Sequence, residues 1–247
     1  MGSKKYTVHP FLRAAKGQDR DHARCPLLIG LAKYTLTPTA LLGGSFNPAH
    51  AGHRAISLAA ARALGVKEVW WLVSPGNPLK EGAKDMAPLP IRLASARKIA
   101  RRSIIRPTAI ERELGTRYTV DTIAALVRRY PKRRFIWIMG EDNLVQFPQW
   151  RDWRRLARTV PIAVIARPGY SARAKADRAF GWLREFVHPA RHVKHWTDWR
   201  PPALVLLRFR PDPRSATALR RVNPDWQLAF PTPKSGIRDG ITRRIIY

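Results

Sequence analysis

Cysteine is almost missing from this sequence. Cys25 is the only one in 247 residues, which excludes an intramolecular disulfide and a four-cysteine zinc site and is compatible with a reducing cytosol. Long apolar runs are missing as well. The longest span about ten residues, roughly half of what a bilayer requires, so no membrane span is expected. The start, MGSKKYTVHPF, is basic with no apolar core behind it, so no secretory signal is expected. Acidic residues are scarce: Asp plus Glu number 17 against 46 Lys plus Arg, a formal charge of +29. Such a chain attracts polyanions. Its basic residues are nevertheless spread along the whole length without regular aromatic interleaving, which reads as an arginine-rich surface rather than a single-strand groove. Three phosphate and metal motifs are absent: G-x-G-x-x-G, a P-loop Gly-Lys-Ser/Thr, and HExxH.

What is present suffices for a substantial core, since 45% of residues are hydrophobic. Residues 1–36 are polar and basic and read as an N-terminal extension, with Leu27–Ala32 a short apolar patch; residues 37–247 read as one domain. Strands are expected at Thr39–Leu42, Val69–Val73, Ile104–Ile110, Phe135–Met139, Val160–Ala166 and Ala203–Phe209. Pro107 marks the third as an edge or irregular strand. Helices are expected at Ala51–Leu64, stopped by Gly65, at Pro90–Arg102, Thr119–Arg129, Ser171–Phe186 and Ser215–Arg221. The alternation predicts a Rossmann-like α/β fold, a mostly parallel sheet with helices on both faces. Ligands in such sheets bind beyond the carboxyl ends of the strands. Loops 43–53, 74–80, 140–150 and 210–220 are therefore expected to line one rim.

The stretch Gly43–His53, GGSFNPAHAGH, falls on that rim. Two glycines after a strand let backbone N–H groups approach a phosphate, or simply make a turn. His50 and His53 lie one turn apart on one face of a helix start, where N–H groups welcome an anion. By themselves they suit phosphoryl oxygens, a metal lacking its third ligand, or a surface pair. The run His188, His192 and His195 raises metal ligation again, but Pro189 and the surrounding arginines favour an exposed basic linker.

His50-Ala51-Gly52-His53 matches the histidine-x-glycine-histidine signature of the nucleotidyltransferase superfamily. The longer Gly43–His53 stretch resembles the bacterial nicotinate-nucleotide adenylyltransferases, with Asn47 where the family usually has Asp. Further stretches agree in order: Ser74–Lys80, with Leu79 where histidine is usual; Glu111–Leu114 with Tyr118–Thr122; Met139–Asn143 with Phe147–Trp150; Arg167–Tyr170; and Arg214–Arg220, which resembles a serine-x-threonine-x-x-arginine signature. Phosphopantetheine adenylyltransferase, a rival within the superfamily, has threonine at the position of His50.

The resemblance implies a cytoplasmic enzyme that moves the adenylyl group of ATP to nicotinate mononucleotide, with Mg2+ carried mainly by the ATP phosphates and no metal held by the protein. By the resemblance His50, His53 and Arg220 are catalytic. Gly43, Gly44, Ser45, Phe46, Lys80, Ser215 and Thr217 bind ATP, and Tyr118, Thr119, Asp142 and Trp150 bind the mononucleotide, with Trp150 a platform for the pyridine ring. A phosphate dianion is already a nucleophile, so alignment and charge neutralisation suffice, and no Ser or Cys nucleophile is needed. The alternatives are nicotinamide mononucleotide or another phosphate as acceptor, and a nucleic-acid-binding protein on the same fold.

Overall fold

The computed structural model describes residues 36–76, 85–166, 178–209, 215–230 and 235–247. The chain divides into two units, Met1–Tyr34 and Thr35–Tyr247, and the second carries the sheet. The expected extension over residues 1–36, Lys80, the Arg167–Tyr170 turn and Arg214 lie outside the described residues, apart from Leu36.

Seven strands form one parallel sheet in the order β3-β2-β1-β4-β5-β7-β6. They are β1 (Thr37–Gly44), β2 (Val69–Val73), β3 (Ile105–Thr108), β4 (Arg133–Gly140), β5 (Ile162–Ala166), β6 (Val187–His188) and β7 (Leu204–Arg208). The central strands are apolar at consecutive positions, because both faces are covered. Successive side chains fall into two separate cores. Ala40, Leu42, Ile136 and Ile138 face one, with Ala60, Leu64, Leu93 and Ala96 from α1 (Ala51–Leu64) and α2 (Leu89–Ala100). Leu41, Phe135, Trp137 and Met139 face the other. That core also takes Ile110 from α3 (Ile110–Leu114), Ile123 from α4 (Thr119–Arg129), Leu144 from α5 (Glu141–Gln146), Leu156 from α6 (Trp153–Thr159) and Leu183 from α7 (Arg178–Leu183). A last helix, α8 (Ala216–Val222), and an antiparallel pair, β8 (Ile237–Arg238) with β9 (Ile245–Ile246), complete the chain.

Strand order runs outward from β1 to β2 and β3 on one side, and from β4 to β5 and β7 on the other. The reversal opens a crevice beyond the carboxyl ends of β1 and β4, at Gly44 and Gly140. Pro107 sits on the edge strand β3, where its missing N–H breaks no second ladder.

Several expectations need correction. The third strand stops at Thr108, and Ile110 begins α3. The strand expected from Val160 begins at Ile162, since Val160 closes α6 by donating to Leu156 O. The 140–150 rim is two short helical pieces rather than a loop: α5, then a 3-10 turn over Phe147–Gln149. The stretch expected as a basic linker is β6 followed by a 3-10 helix over Ala190–Asp198. It is anchored by Val193 and by Trp196, fully buried with its indole N–H donating to Leu64 O at 3.0 Å. His188 there stacks on Trp199 with ring centroids 4.0 Å apart.

Candidate active site

The glycine loop is shaped by what lies under it. A Cβ on Gly43 would overlap the indole of Trp137 on β4, so Gly43 is required for packing between β1 and β4. A Cβ on Gly44 would stand 3.4 Å from the Phe46 ring, an ordinary contact. Gly44, through its carbonyl, accepts from Ser74 N–H at 3.1 Å and so joins the ends of β1 and β2. Phe46 has φ of 48°, the left-handed region a non-glycine residue rarely adopts. This conformation tucks its side chain inward, where it is 1% exposed, stacked on Trp71 at 4.9 Å and tilted against His53 at 4.8 Å. The Phe46 side chain thus supports His53 from below, and its backbone is the part turned to the loop surface.

His50 is the N-cap of α1, and His53 lies one turn in, with ring centroids 3.8 Å apart. The His50 N–H donates to His53 Nδ1 at 3.2 Å. The accepting nitrogen carries no proton, which leaves the His53 proton on Nε2. Burial, and next the neighbouring His50, lower the His53 pKa from 6.5 to about 3. His53 is thus a neutral imidazole with an Nε2–H donor. Behind it, Trp71 Nε1–H donates to Ser57 Oγ at 2.7 Å, and Ser57 donates to His53 O at 2.8 Å, pinning the first turns of α1 to β2. No acidic residue stands in the first turn of α1, so its amino end keeps a positive field.

Arg220 reaches the same place from 173 residues away. Its Nη1 donates to Asn47 O at 2.6 Å, and its Nε pairs with Asp85 Oδ2 at 2.9 Å. Asn47 is buried and used at both ends: Nδ2 donates to Asp85 O at 2.8 Å, and Oδ1 accepts from Ala87 N–H at 3.1 Å. An aspartate in this position has no N–H to give to Asp85 O, so asparagine suits this loop. Ser215 caps α8 by accepting from Ala218 N–H at 3.1 Å, which holds Arg220 on the helix face that meets Asn47. Thr217 is exposed on α8.

Tyr118, Thr119, Asp142 and Trp150 occupy the other flank. Tyr118 is the N-cap of α4 and Thr119 its first residue. Asp142 is in the first turn of α5, at the carboxyl end of β4. Trp150 is half-buried, edge-on to Trp137 at 6.2 Å and to Phe147 at 5.4 Å. Arg151 lies 4.6 Å from the Tyr118 ring centre, tying the Trp150 segment to the start of α4. The indole of Trp137 meets both Gly43 and Trp150, so both flanks rest on one side chain.

Two buried ionisable groups lie beside the site: Arg92, which no motif marks, and Glu111, which opens the Glu111–Leu114 stretch. Arg92, on α2, is 1% exposed. Glu111, on α3, accepts from Thr122 Oγ1 at 3.3 Å. Burial raises the Glu111 pKa from 4.5 to about 7, against hydrogen bonds from Thr122 and Ser74 and the charge of Arg92, which pull it down. The available signal for Arg92 was a single charge among Pro90, Leu93, Ala96 and Ala100, all buried on one face.

Residues 41–222 match the cytidylyltransferase-like family model. The chain is 56% identical over 210 residues to the probable nicotinate-nucleotide adenylyltransferase of Erythrobacter litoralis, covering 85% of this chain and 94% of that one. This chain is a member of the nicotinate-nucleotide adenylyltransferase family. A second family member, from Parvibaculum lavamentivorans, is 50% identical over 196 residues, covering 78% of this chain and 96% of its own. Among solved structures, the Plasmodium falciparum nicotinic acid mononucleotide adenylyltransferase complexed with NaAD superposes with a TM-score of 0.53 at 15% identity, covering 75% of this chain and 83% of that chain. That likeness bears on the fold alone.

Among the described residues no helix is long and apolar enough to cross a membrane. No group of three or more His, Cys, Asp or Glu side chains among them could hold a metal ion.

Proposed function

We propose that the crevice between β1 and β4 is where this enzyme transfers the adenylyl group of ATP to nicotinate mononucleotide, giving nicotinate adenine dinucleotide and pyrophosphate. The carrying observation is the meeting of Arg220 with the Asn47 carbonyl, beside the His50–His53 pair. Donors from two distant segments converge where a triphosphate has to be neutralised.

A phosphate oxygen of the mononucleotide attacks the α-phosphorus of ATP. The bond from that phosphorus to the bridging oxygen breaks, and pyrophosphate leaves with the electron pair. Negative charge grows on the non-bridging oxygens and on the leaving group. His53 meets the first with its Nε2–H, a donor fixed in tautomer by the His50 N–H. His50 and the amino end of α1 stand beside it. Arg220 meets the β- and γ-phosphates. With Nε and one Nη1 hydrogen engaged, it still offers its Nη2 end to phosphate oxygens. Lys80 adds a point charge, and Gly44, Ser45, Ser215 and Thr217 border the nucleotide. Tyr118, Thr119, Asp142 and Trp150 hold the mononucleotide, with the Trp150 ring against the pyridine. Mg2+ would be carried mainly by the ATP phosphates.

Phosphorus NMR of a reaction with Mg-ATP and nicotinate mononucleotide tests this reading. Pyrophosphate and dinucleotide are expected in equal amounts. His53→Ala and Arg220→Ala are each expected to lower kcat/KM by about 10²–10³-fold, the usual loss for one transition-state donor. Wild-type rates in both variants would contradict the placement of the reaction here.

A further inference from the structure

Arg92 takes no part in the bond-making steps of adenylyl transfer, yet it is heavily bonded beside the crevice. Its Nε donates to Ala87 O at 2.7 Å, Nη1 to Ser45 O at 2.8 Å and to Ser74 O at 2.6 Å, and Nη2 to Pro75 O at 3.1 Å. Four of five N–H donors are thus spent on main-chain carbonyls. Those carbonyls belong to three separate segments: the glycine loop, the loop leaving β2, and the approach to α2. None of these four acceptors is a carboxylate; Glu111 acts on it only as a nearby charge. Burial lowers the Arg92 pKa to about 10, so it stays charged at neutral pH.

A desolvated cation held by peptide dipoles is a costly way to fill a core, and an apolar side chain of similar volume often gives equal or better stability. What a guanidinium does that a methionine cannot is aim several carbonyls at one point. In the trans peptide that joins Ser45 to Phe46, the N–H points opposite to the C=O. Drawing Ser45 O onto Arg92 therefore turns the Phe46 N–H to the other side of the loop, away from α2. The same nitrogen that grips Ser45 also grips Ser74, where the segment leading to Lys80 begins. A further bond from α2, Ser95 Oγ accepting Ala49 N–H at 3.1 Å, holds the loop just ahead of His50.

We propose that Arg92 is a positioning residue for adenylyl transfer. Its buried guanidinium orients the Ser45–Phe46 peptide and locks the glycine loop to the end of β2, so that the Phe46 N–H keeps one spacing from the His50–His53 pair around the triphosphate. This rests on ATP lying along the glycine loop, as in the proposed function. A displacement of about 1 Å in such a site costs on the order of 10²-fold in rate.

The test compares wild type, Arg92→Met, Arg92→Lys and His53→Ala for melting temperature, kcat, and KM for each substrate. Rates are scaled to folded enzyme. Arg92→Met is expected to lower kcat/KM for ATP about 100-fold, with KM for nicotinate mononucleotide changed less than about threefold. Arg92→Lys, which keeps the charge and some of the bonds, is expected to recover about tenfold of that loss. Wild-type kcat and ATP KM in folded Arg92→Met would overturn the proposal. Should Arg92→Met not fold, the same result in Arg92→Lys would overturn it. Full activity in His53→Ala would instead overturn the placement of ATP, which separates the two failures.

Discussion

Arg220 pairs with Asp85 as well as with the Asn47 carbonyl. Asp85 is 59% exposed on its side chain, so the pair is weak and screened, yet it takes one donor of the arginine assigned to phosphate. Asp85→Asn keeps the backbone carbonyl that Asn47 Nδ2 needs and removes the competing charge. Steady-state kinetics on that variant are expected to show KM for ATP lowered about two- to fivefold, the range of an exposed ion pair, with kcat unchanged. A raised KM would mean that Asp85 orients Arg220 rather than competing for it. Glu111 and His53 give the site a pH signature in stability. Glu111 binds its proton more tightly folded, with pKa raised to about 7 from 4.5, so its contribution is full below pH 4.5 and is lost as pH rises through 7. His53 binds its proton more weakly folded, about 3 against 6.5, so its contribution is present above pH 6.5 and is lost as pH falls towards 3. Between pH 4.5 and 7 the two act in opposite directions, so in denaturant unfolding Glu111→Gln should gain stability relative to wild type as pH rises towards 7. Parallel curves for the two proteins would contradict the assignment of Glu111.

At the scale of elements, the site depends on how tightly β1 packs on β4. Gly43→Ala forces a methyl into the Trp137 indole, and overpacking of this kind costs about 1–3 kcal/mol. Since Trp137 also supports Trp150, both flanks are disturbed. Gly44→Ala meets Phe46 at an ordinary distance and is expected to leave stability within about 1 kcal/mol while raising KM for ATP. Equal melting temperatures for the two variants would refute this difference. The elements that carry the histidines were legible in sequence because local signals agreed: Ala51–Leu64, closed by Gly65 in the left-handed region, and the continuous apolar run Val69–Val73 form as expected. The β8–β9 pair was not legible. It is held by the buried Asp239 carboxylate, which accepts from Thr108 Oγ1 and Ala109 N–H at 2.6–3.0 Å and from the N–H groups of Ile241 and Thr242 at 2.8 Å. A partner some 130 residues away leaves no local periodicity. Residues 187–198 misled for the opposite reason, since their charges suggested solvent while Val193 and Trp196 are buried.

Over the whole molecule, the parallel sheet and its rim followed from the alternation of strands and helices, and the histidine pair followed from its spacing. Spacing alone left phosphate, metal and a surface pair open; the structure adds that the His53 ring nitrogen facing the cap already accepts a hydrogen bond and that Arg220 meets the adjoining carbonyl. Arg92 shows the limit of reading a chain with 46 basic residues, where one buried guanidinium looks like any other until its burial is known. In the proposed function this crevice joins adenylate to nicotinate mononucleotide. The most direct measurement is pyrophosphate release by the purified protein with Mg-ATP and either nicotinate or nicotinamide mononucleotide, with His53→Ala alongside. Release with the nicotinate substrate at least about tenfold faster, a difference of about 1.4 kcal/mol, and lost in the variant is the predicted result. Equal or greater release with the nicotinamide substrate, or release that survives in His53→Ala, would contradict it.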